Sequence, residues 1–284
     1  MPALLISPMS TSLLNRGLKR AQRLALTPLR SAGVPIGPND ARIKSIRDIH
    51  AGRRAFVLGN GPSLKVADLE RLKGEITFAS NKIYLAFEQS DWRPTYYSVC
   101  DKLVARNNAQ VISELPLNRL MSDWVQEFFP GEKSSTWLRE LPVRGPVSNS
   151  DGTLTHPFSD NLLVGFYGGA TVIYQQLQIA FYMGITEVIL IGLDFSFQLP
   201  DKQVSTEVRG YEVALKSEGE VNHFHKDYRK PGEAWAFPDM EGQRTSFRAA
   251  LKRFQAAGRS VVNASRSTQL DVFPRRNFDE LVPG

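Results

Sequence analysis

The segment from Arg53 to Leu64 constrains the fold of this chain more than any other. Its apolar residues 55–58 predict a short buried strand, and the turn Gly-Asn-Gly-Pro-Ser follows that strand directly. Residues 66–73 then carry apolar side chains at helical spacing. A strand, a glycine-rich turn and a helix in this order are typical of the first βα unit of an open α/β sheet, in which ligands bind beyond the carboxyl ends of the strands.

The glycine-rich turn itself predicts a nucleotide-binding loop that includes Pro62. Gly59 and Gly61 allow the backbone to approach a phosphate or a sugar closely. The side chains of Asn60 and Ser63 can hydrogen-bond a ligand. The same residues also suit a tight turn in which Ser63 caps the next helix. The turn matches neither familiar phosphate-binding motif, since no Lys-Ser/Thr pair follows it and the G-x-G-x-x-G spacing is absent.

Polar residues follow the other predicted strands as well. Asn81, Asp101 and Asp194 each come shortly after an apolar run. Because the carboxyl ends of parallel strands share one edge of a sheet, we expect these side chains to converge with Asn60 on a nucleotide. A carboxylate such as that of Asp194 is a natural partner for a ribose hydroxyl. A structural role in a turn or helix cap remains the alternative for each of them.

A second glycine pair precedes a long predicted helix at residues 170–183. Gly168 and Gly169 lie at the start of this helix, and Thr171 adds a hydroxyl in its first turn. Helix N-termini attract anions, so these three residues are candidates for a further nucleotide contact. The order of segments predicts an α/β fold, with a Rossmann-like, mostly parallel sheet flanked by helices.

Residues 195–240 lack regular periodicity and predict an irregular lid inserted near the C-terminal end. Within this lid, His223, His225, Lys226 and Tyr228 lie close together in the sequence. An imidazole titrates near neutrality and suits proton transfer, so His225 or His223 is the candidate general base. Lys226 and Tyr228 are candidate contacts to a phosphate, and an exposed polar loop is the alternative interpretation.

The charge distribution separates a tail from a body. The chain of 284 residues has a net charge of +6, and the segment before Asp40 contains five basic residues and no acidic one. Residues 1–40 are therefore predicted to be a basic amphipathic tail and linker, which can contact an anionic membrane surface. A poorly ordered extension or a helix docked on the domain fits the same pattern. Residues 41–284 form the predicted nucleotide-binding domain, whose nearly neutral charge argues against a nucleic-acid partner.

The remaining composition bears on the cellular compartment. Cys100 is the one cysteine, so no disulfide can form within the chain, which fits a reducing compartment. No apolar run reaches the roughly 18 residues that a membrane-spanning helix needs. The sequence thus predicts a cytoplasmic protein, peripheral on the inner membrane face if the tail binds lipid, and it leaves the oligomeric state open.

With these positions established, the chain resembles a known group of proteins over residues 52–280. The resemblance depends on the block Gly-Asn-Gly-Pro-Ser-Leu at 59–64, on Ser-Asn at 80–81, on Val-Ile-Leu-Ile-Gly-Leu-Asp-Phe at 188–195 and on Asn-His-Phe-His-x-Asp-Tyr at 222–228. The chain is identified as a member of the broad family related to the archaeal 6-hydroxymethylpterin diphosphokinase and to the flagellin-modifying motility accessory factors. It also resembles bacterial sialyltransferases of the Campylobacter type.

The resemblance implies a Rossmann-like nucleotide-binding fold with a flexible lid. In the sialyltransferases, the asparagines that match Asn60 and Asn81 contact the CMP-sugar. There a lid histidine is the general base and lid tyrosines hold the leaving phosphate without a metal. This chain has Ser196 where those enzymes have a phosphate-binding tyrosine, and no histidine at 241–242, where their base would fall. His223 or His225 would have to replace that base.

The resemblance therefore favours a sialyltransferase-like glycosyltransferase of surface-glycan or cell-envelope synthesis. Its donor would be a nucleotide-activated sugar, linked to CMP, and its acceptor would be a glycan. The reaction would require no cofactor. One alternative is an ATP-dependent 6-hydroxymethylpterin diphosphokinase, with Mg²⁺ held by Asp101 and Asp194. The other alternative is a non-catalytic module that binds a nucleotide sugar.

Overall fold

The secondary structure comes from a computed structural model that describes residues 25–143, 147–148, 154–208 and 210–282. Its strands are β1 (Arg54–Leu58), β2 (Ile76–Ser80), β3 (Tyr96–Ser98), β4 (Leu120–Ser122), β5 (Thr136–Leu138), β6 (Glu140–Leu141), β7 (Val147–Ser148), β8 (Leu154–Thr155), β9 (Phe166–Tyr167), β10 (Glu187–Ile191), β11 (Gln203–Ser205), β12 (Val213–Lys216), β13 (Ala234–Trp235) and β14 (Ser260–Asn263). Residues 25–31 are α-helical. The further α-helices are α1 (Pro38–Ser45), α2 (Val66–Glu70), α3 (Lys102–Glu114), α4 (Val172–Tyr182), α5 (Met240–Ala256) and α6 (Phe278–Leu281), and 3₁₀ helices span Asn81–Glu88 and Asp123–Phe128.

The central sheet has five parallel strands in the order β14-β10-β1-β2-β3. Most residues of β1, β2 and β10 are buried, which explains why β1 and β10 are nearly continuous apolar runs. The chain adds β2 and β3 on one side of β1 and then returns to add β10 and β14 on the other. The order therefore reverses between β1 and β10. This is the topological switch point at which open α/β sheets bind ligands.

Helix α4 is buried along its whole length. A helix in such surroundings must satisfy its polar side chains internally. Gln175, Gln176 and Gln178 do so by donating to the backbone carbonyls of residues 120, 79 and 167. These bonds connect α4 to β4, β2 and β9, so the N-terminus of the helix is held firmly at the carboxyl edge of the sheet.

The structure confirms the predicted α/β fold with its mostly parallel, helix-flanked sheet. Strand β4 is followed by the 3₁₀ helix Asp123–Phe128, and the Ser122 hydroxyl accepts a hydrogen bond from the Trp124 amide. Residues 195–240, the lid, include a small antiparallel sheet of β11, β12 and β13. Its longest strand is only four residues, too short to give a clear alternating pattern.

The predicted tail lies partly outside the described residues, which begin at residue 25. Its described end packs on the body through Asp40. Arg30 and Arg139 both bind the Asp40 carboxylate, at 2.7 Å and 2.8 Å. Burial would raise the pKa of Asp40, but these two guanidinium groups hold it below its ordinary value. The predicted tail and linker therefore ends in a segment that is fixed to the body.

Candidate functional site

A cleft opens at the switch point between β1 and β10, and we call it the switch-point cleft. It encloses about 140 Å³ between the loops after β1, β2 and β10, the first turn of α4 and the lid. The predicted site residues that line it are Gly59, Asn60, Gly61, Asn81, Thr171, Asp194, His223 and Tyr228. The predicted residues outside its lining are Pro62, Ser63, Asp101, Gly168, Gly169, His225 and Lys226.

The glycines of the β1 turn are required by close packing against the β10 turn. A Cβ on Gly59 would lie 2.3 Å from the Gly192 carbonyl oxygen, and a Cβ on Gly61 would lie 2.7 Å from Asp194 Oδ2. The amide N–H groups of Gly59 and Gly61 donate to the carbonyls of Ile191 and Gly192. These two amides therefore donate within the protein, and the close approach that the glycines allow is to the β10 turn.

The Asp194 side chain also connects the turn after β10 to the turn after β1. Its Oδ2 accepts from the Ser63 amide at 2.7 Å, and its Oδ1 accepts from the Ser63 hydroxyl. Burial raises the pKa of Asp194, although both hydrogen bonds from Ser63 act to lower it. Ser63 is therefore not the cap of α2, whose N-cap residue is Lys65. The carboxylate proposed for a ribose hydroxyl is used to fix the loop.

Two asparagine oxygens remain without a partner beside the cleft. Asn60 donates to the Ser80 carbonyl at 3.2 Å, while its Oδ1 is buried and has no partner among the described residues. Asn81 Oδ1 is also buried without a partner among the described residues. The backbone of Asn81 is left-handed, with φ of 53°, a conformation that asparagine tolerates. Because buried polar atoms are normally paired, these two oxygens suit N–H or O–H donors of a ligand.

The lid reaches the cleft through His223. The Phe224 amide donates to the Asn60 carbonyl at 2.9 Å, which attaches this part of the lid to the β1 turn. The His223 ring stacks on Tyr228, with ring centroids 3.8 Å apart and planes inclined by 6°. Its Nδ1 lies 2.9 Å from Glu220 Oε1. A carboxylate can only accept, so Nδ1 carries the proton and Nε2 keeps its lone pair.

The electrostatic surroundings keep this imidazole neutral. Burial lowers the pKa of His223 to about 4, although Glu220 acts in the opposite direction, and Arg229 lowers it further. Burial also raises the pKa of the Tyr228 hydroxyl well above its ordinary value. At neutral pH the pair therefore consists of an uncharged base stacked on a protonated phenol.

The other candidate base and the candidate lysine lie away from the cleft. His225 Nδ1 accepts from the Asp227 amide at 3.2 Å, so this ring stabilises the local turn. Lys226 is exposed. A turn from His225 to Tyr228, closed by the bond from the Tyr228 amide to the His225 carbonyl, directs Tyr228 back onto His223. The choice between the two histidines depends on this turn, which sequence alone does not specify.

A second cleft of about 80 Å³ adjoins the first near the start of α3, and we call it the α3 cleft. Asn81, His223 and Tyr228 line both clefts and form the wall between them. Asp101 lies in the α3 cleft rather than with the nucleotide-binding candidates. Its Oδ1 accepts from the first amides of α3, and burial raises its pKa. The further charged and aromatic residues of this cleft are Lys82, Arg229, Glu233 and Trp235.

The glycine pair before α4 allows close packing against neighbouring side chains. A Cβ on Gly169 would lie 2.4 Å from the Tyr174 ring, and the Gly169 carbonyl accepts from Ser246 on α5. A Cβ on Gly168 would lie 2.5 Å from Glu140 Oε1. These contacts explain why residues 168 and 169 are glycines, and the anion site proposed there stays a prediction. Thr171 caps α4 by accepting from the Ile173 amide and is the member of this group that lines the cleft.

The carboxylates suggested for Mg²⁺ do not meet. Asp101 lines the α3 cleft and Asp194 lines the switch-point cleft, each accepting hydrogen bonds from nearby groups. Across the described parts of the chain, no three His, Cys, Asp or Glu residues are grouped as metal ligands. The described residues therefore do not fit a magnesium ion shared by this pair.

Several residues of the site were not predicted from the sequence. Glu220 precedes His223 by three positions, and the charged residues Lys82 and Arg229 each follow a predicted residue directly. Sequence proximity could have suggested all three. Gln243 also lines the switch-point cleft, from the first turn of α5. Nothing in the sequence pattern connects Gln243 with the lid.

Comparison with known proteins identifies the family. The model of the 6-hydroxymethylpterin diphosphokinase MptE-like family matches residues 38–199, which is more than half of the chain. The chain belongs to the MptE-like family. This confirms the family predicted from the motifs.

A search of solved structures finds the sialyltransferase CstII from Campylobacter jejuni, studied in complex with a substrate analogue, CMP-3FNeuAc. The two chains are 12% identical and superpose with a TM-score of 0.39, over 78% of this chain and 85% of that one. Comparison with curated protein sequences finds no match.

The buried neutral His223 predicts a pH-dependent stability. Its pKa is about 4 in the folded protein and about 6.5 in an unfolded chain, so below pH 6.5 only the unfolded chain gains this proton. The unfolding free energy should therefore fall as the pH drops from 7 to 4.5, with roughly 2 kcal/mol of the fall due to His223. Urea unfolding of the wild type and of His223→Gln measures this share. Equal pH slopes in the two proteins would contradict the assignment.

Proposed function

We propose that this protein is a glycosyltransferase that uses a nucleotide-activated sugar, CMP-linked as the motif resemblance implies, in surface-glycan or cell-envelope synthesis. The observation that carries the proposal is the position of His223. Its neutral imidazole, held by Glu220, forms part of the wall between two adjoining clefts. A base between a donor site and an acceptor site is what transfer of a sugar to a hydroxyl requires.

In the proposed reaction the donor nucleotide occupies the switch-point cleft and the acceptor hydroxyl enters through the α3 cleft. His223 Nε2 removes the hydroxyl proton as the acceptor oxygen forms its bond to the anomeric carbon of the sugar. The bond from that carbon to the phosphate oxygen breaks, and the nucleoside monophosphate leaves with the electron pair. Glu220 keeps the imidazole in the required tautomer and stabilises the cation that forms.

The remaining residues of the cleft support binding of the donor. The unpartnered oxygens of Asn60 and Asn81 can accept hydrogen bonds from it. Tyr228 keeps its hydroxyl protonated and can donate to the leaving phosphate. At about 140 Å³, the switch-point cleft is smaller than the roughly 300 Å³ or more of typical ligand sites, so the lid has to open for the donor to enter.

The family description favours one other reaction, which is transfer of pyrophosphate from ATP to a pterin. In that reaction His223 would act on the pterin hydroxyl, and Mg²⁺ would bind chiefly through the ATP phosphates. A module that binds a nucleotide sugar without turning it over is the remaining alternative.

One assay separates these three functions. The protein is incubated with CMP-N-acetylneuraminate in EDTA and, separately, with ATP and 6-hydroxymethylpterin in Mg²⁺. We expect release of CMP in EDTA, with water or an added sugar as the acceptor. Formation of AMP only in the second mixture would replace the proposal with the diphosphokinase reaction. CMP-N-acetylneuraminate that binds but stays intact with every acceptor would indicate the non-catalytic module.

We further propose that the basic tail brings the enzyme to an anionic membrane surface, where a lipid-linked acceptor would be found. None of the helices in the described part of the chain is both long and apolar enough to cross a membrane. Residues 1–24 contain four basic residues and no acidic one. Each basic residue near an anionic surface contributes about 1 kcal/mol to binding.

Removal of residues 1–24 should therefore reduce binding to phosphatidylserine vesicles at least tenfold, as measured by cosedimentation. The truncation leaves Arg30 and Asp40 in place, so the fixed end of the segment is kept. Vesicles of phosphatidylcholine are the control, and unchanged binding to the anionic vesicles would exclude a role for the tail.

A further inference from the structure

The α3 cleft contains an arginine that is prepared for a ligand. The Arg229 guanidinium carbon lies 3.4 Å from the centroid of the Trp235 ring, so one face of the cation is covered. The N–H donors of a guanidinium lie in its plane, and stacking fixes that plane while leaving the donors at the edges. Arg229 is mostly buried, and burial lowers its pKa from the ordinary value.

The carboxylates near Arg229 are each engaged by another group. Glu233 is bound by Lys82 at 2.7 Å, and Glu220 is bound by His223 through Oε1, while Glu220 Oε2 is buried without a hydrogen-bond partner among the described residues. Asp101 accepts from the first amides of α3. Within the described ranges of the chain, no carboxylate lies within 4.0 Å of the Arg229 guanidinium. Arg229 is thus a partly desolvated cation in a cleft, and its guanidinium forms no ion pair with any carboxylate among the described residues.

We propose that the α3 cleft is the acceptor site and that Arg229 binds an oxyanion, either a carboxylate or a phosphate, carried by the acceptor. The planar fork of a guanidinium matches both groups with two parallel hydrogen bonds. This inference rests on the proposed function, because it assigns the second substrate to the cleft that shares His223 with the first. An acceptor held at Arg229 would present a neighbouring hydroxyl to the wall formed by His223 and Tyr228.

The test compares three sugars that differ in charge. Ligand-observed NMR titrations, at fixed ionic strength and with CMP present, give the Kd values of glucose, glucuronate and glucose 6-phosphate. We expect at least one of the two acids to bind at least tenfold more tightly than glucose, because charge-assisted hydrogen bonds are the stronger ones. Tighter binding of glucuronate assigns a sugar acid as acceptor, and tighter binding of glucose 6-phosphate assigns a phosphorylated one.

Variants then connect the preference to Arg229. Arg229→Gln should remove the preference for the acids, and Arg229→Lys should retain only part of it, since an ammonium lacks the planar fork. Arg93, which lies 4.0 Å from the Phe87 ring centroid outside both clefts, gives the matched control Arg93→Gln. An unchanged CMP affinity in Arg229→Gln shows that the variant is folded.

Two results would overturn the inference. One is equal binding of glucose and both acids to the wild type, and the other is a preference that survives Arg229→Gln. A wild-type protein that prefers the acids through Arg229 but does not bind CMP would instead overturn the proposed function, because the switch-point cleft would then lack its donor nucleotide.

Discussion

His223→Gln is expected to lower the turnover of CMP-N-acetylneuraminate by 10²–10⁴-fold, which is the usual contribution of a general base. Glutamine fills most of the space of the imidazole and can still donate to Glu220, but it accepts no proton near neutral pH. CMP affinity should change little by comparison, since Asn60 and Asn81 remain in place. Steady-state kinetics and calorimetry with CMP measure the two effects separately.

His225→Gln is the matched control for this variant. His225 lies two residues away in the same loop, but its ring accepts from the Asp227 amide and lines neither cleft. Turnover should stay within a few-fold of the wild type. A large loss in His225→Gln together with a small loss in His223→Gln would reverse the assignment of the base.

Gly59→Ala is expected to give the largest loss of stability among single methyl additions in the site. The new Cβ would lie 2.3 Å from the Gly192 carbonyl oxygen and 3.0 Å from the Leu193 amide nitrogen, both of which are backbone atoms. Backbone in the turns after β1 and β10 cannot move without disturbing the sheet. Overpacking of this kind costs about 1–3 kcal/mol, which lowers Tm by several degrees in a protein of this size.

Gly37→Ala provides the comparison for this substitution. Gly37 has an extended backbone with φ of −176°, and a Cβ there would meet no atom within 4 Å. Its cost should stay below about 1 kcal/mol, the scale of a changed N-cap residue. Thermal unfolding of both variants checks the difference. Equal Tm values would show that the two turns separate readily and that their contact does not define the cleft.

The fold could be predicted because its central strands are buried on both faces. Residues 55–58 and 188–191 are apolar runs without alternation, and each is followed by glycine. A parallel sheet then fixes which ends share an edge, so the meeting of Asn60, Asn81 and Asp194 could be expected. Topology determined these positions without any knowledge of side-chain contacts.

The roles of the individual residues could not be predicted in the same way. A glycine beside a predicted strand suits a phosphate or close packing equally well, and the structure shows close packing at Gly59, Gly61 and Gly169. Asp194 illustrates the same limit, because its carboxylate binds Ser63, which is 131 positions away in the chain. Such long-range contacts decide whether a polar side chain faces a ligand, and local patterns do not encode them.

In the lid, the types of residue could be read from the sequence, but their positions relative to the cleft could not. The density of titratable groups directed attention to this segment, but composition does not distinguish His223 from His225. The bond from the Phe224 amide to Asn60 and the stacking on Tyr228 bring His223 to the cleft. Glu220 lies only three positions before His223, but its role in setting the tautomer follows from the 2.9 Å distance between Glu220 Oε1 and His223 Nδ1.

The measurement that tests the central claim most directly is a calorimetric titration of the protein with CMP, AMP and ATP, each in EDTA and in Mg²⁺. A nucleotide at 100 times its Kd also stabilises the fold by about 2.7 kcal/mol, so thermal unfolding gives an independent check. We predict that CMP binds equally well with and without the metal and that Asn81→Ala weakens this binding. Binding of ATP alone, and only with Mg²⁺, would contradict a CMP-sugar site at the switch point between β1 and β10.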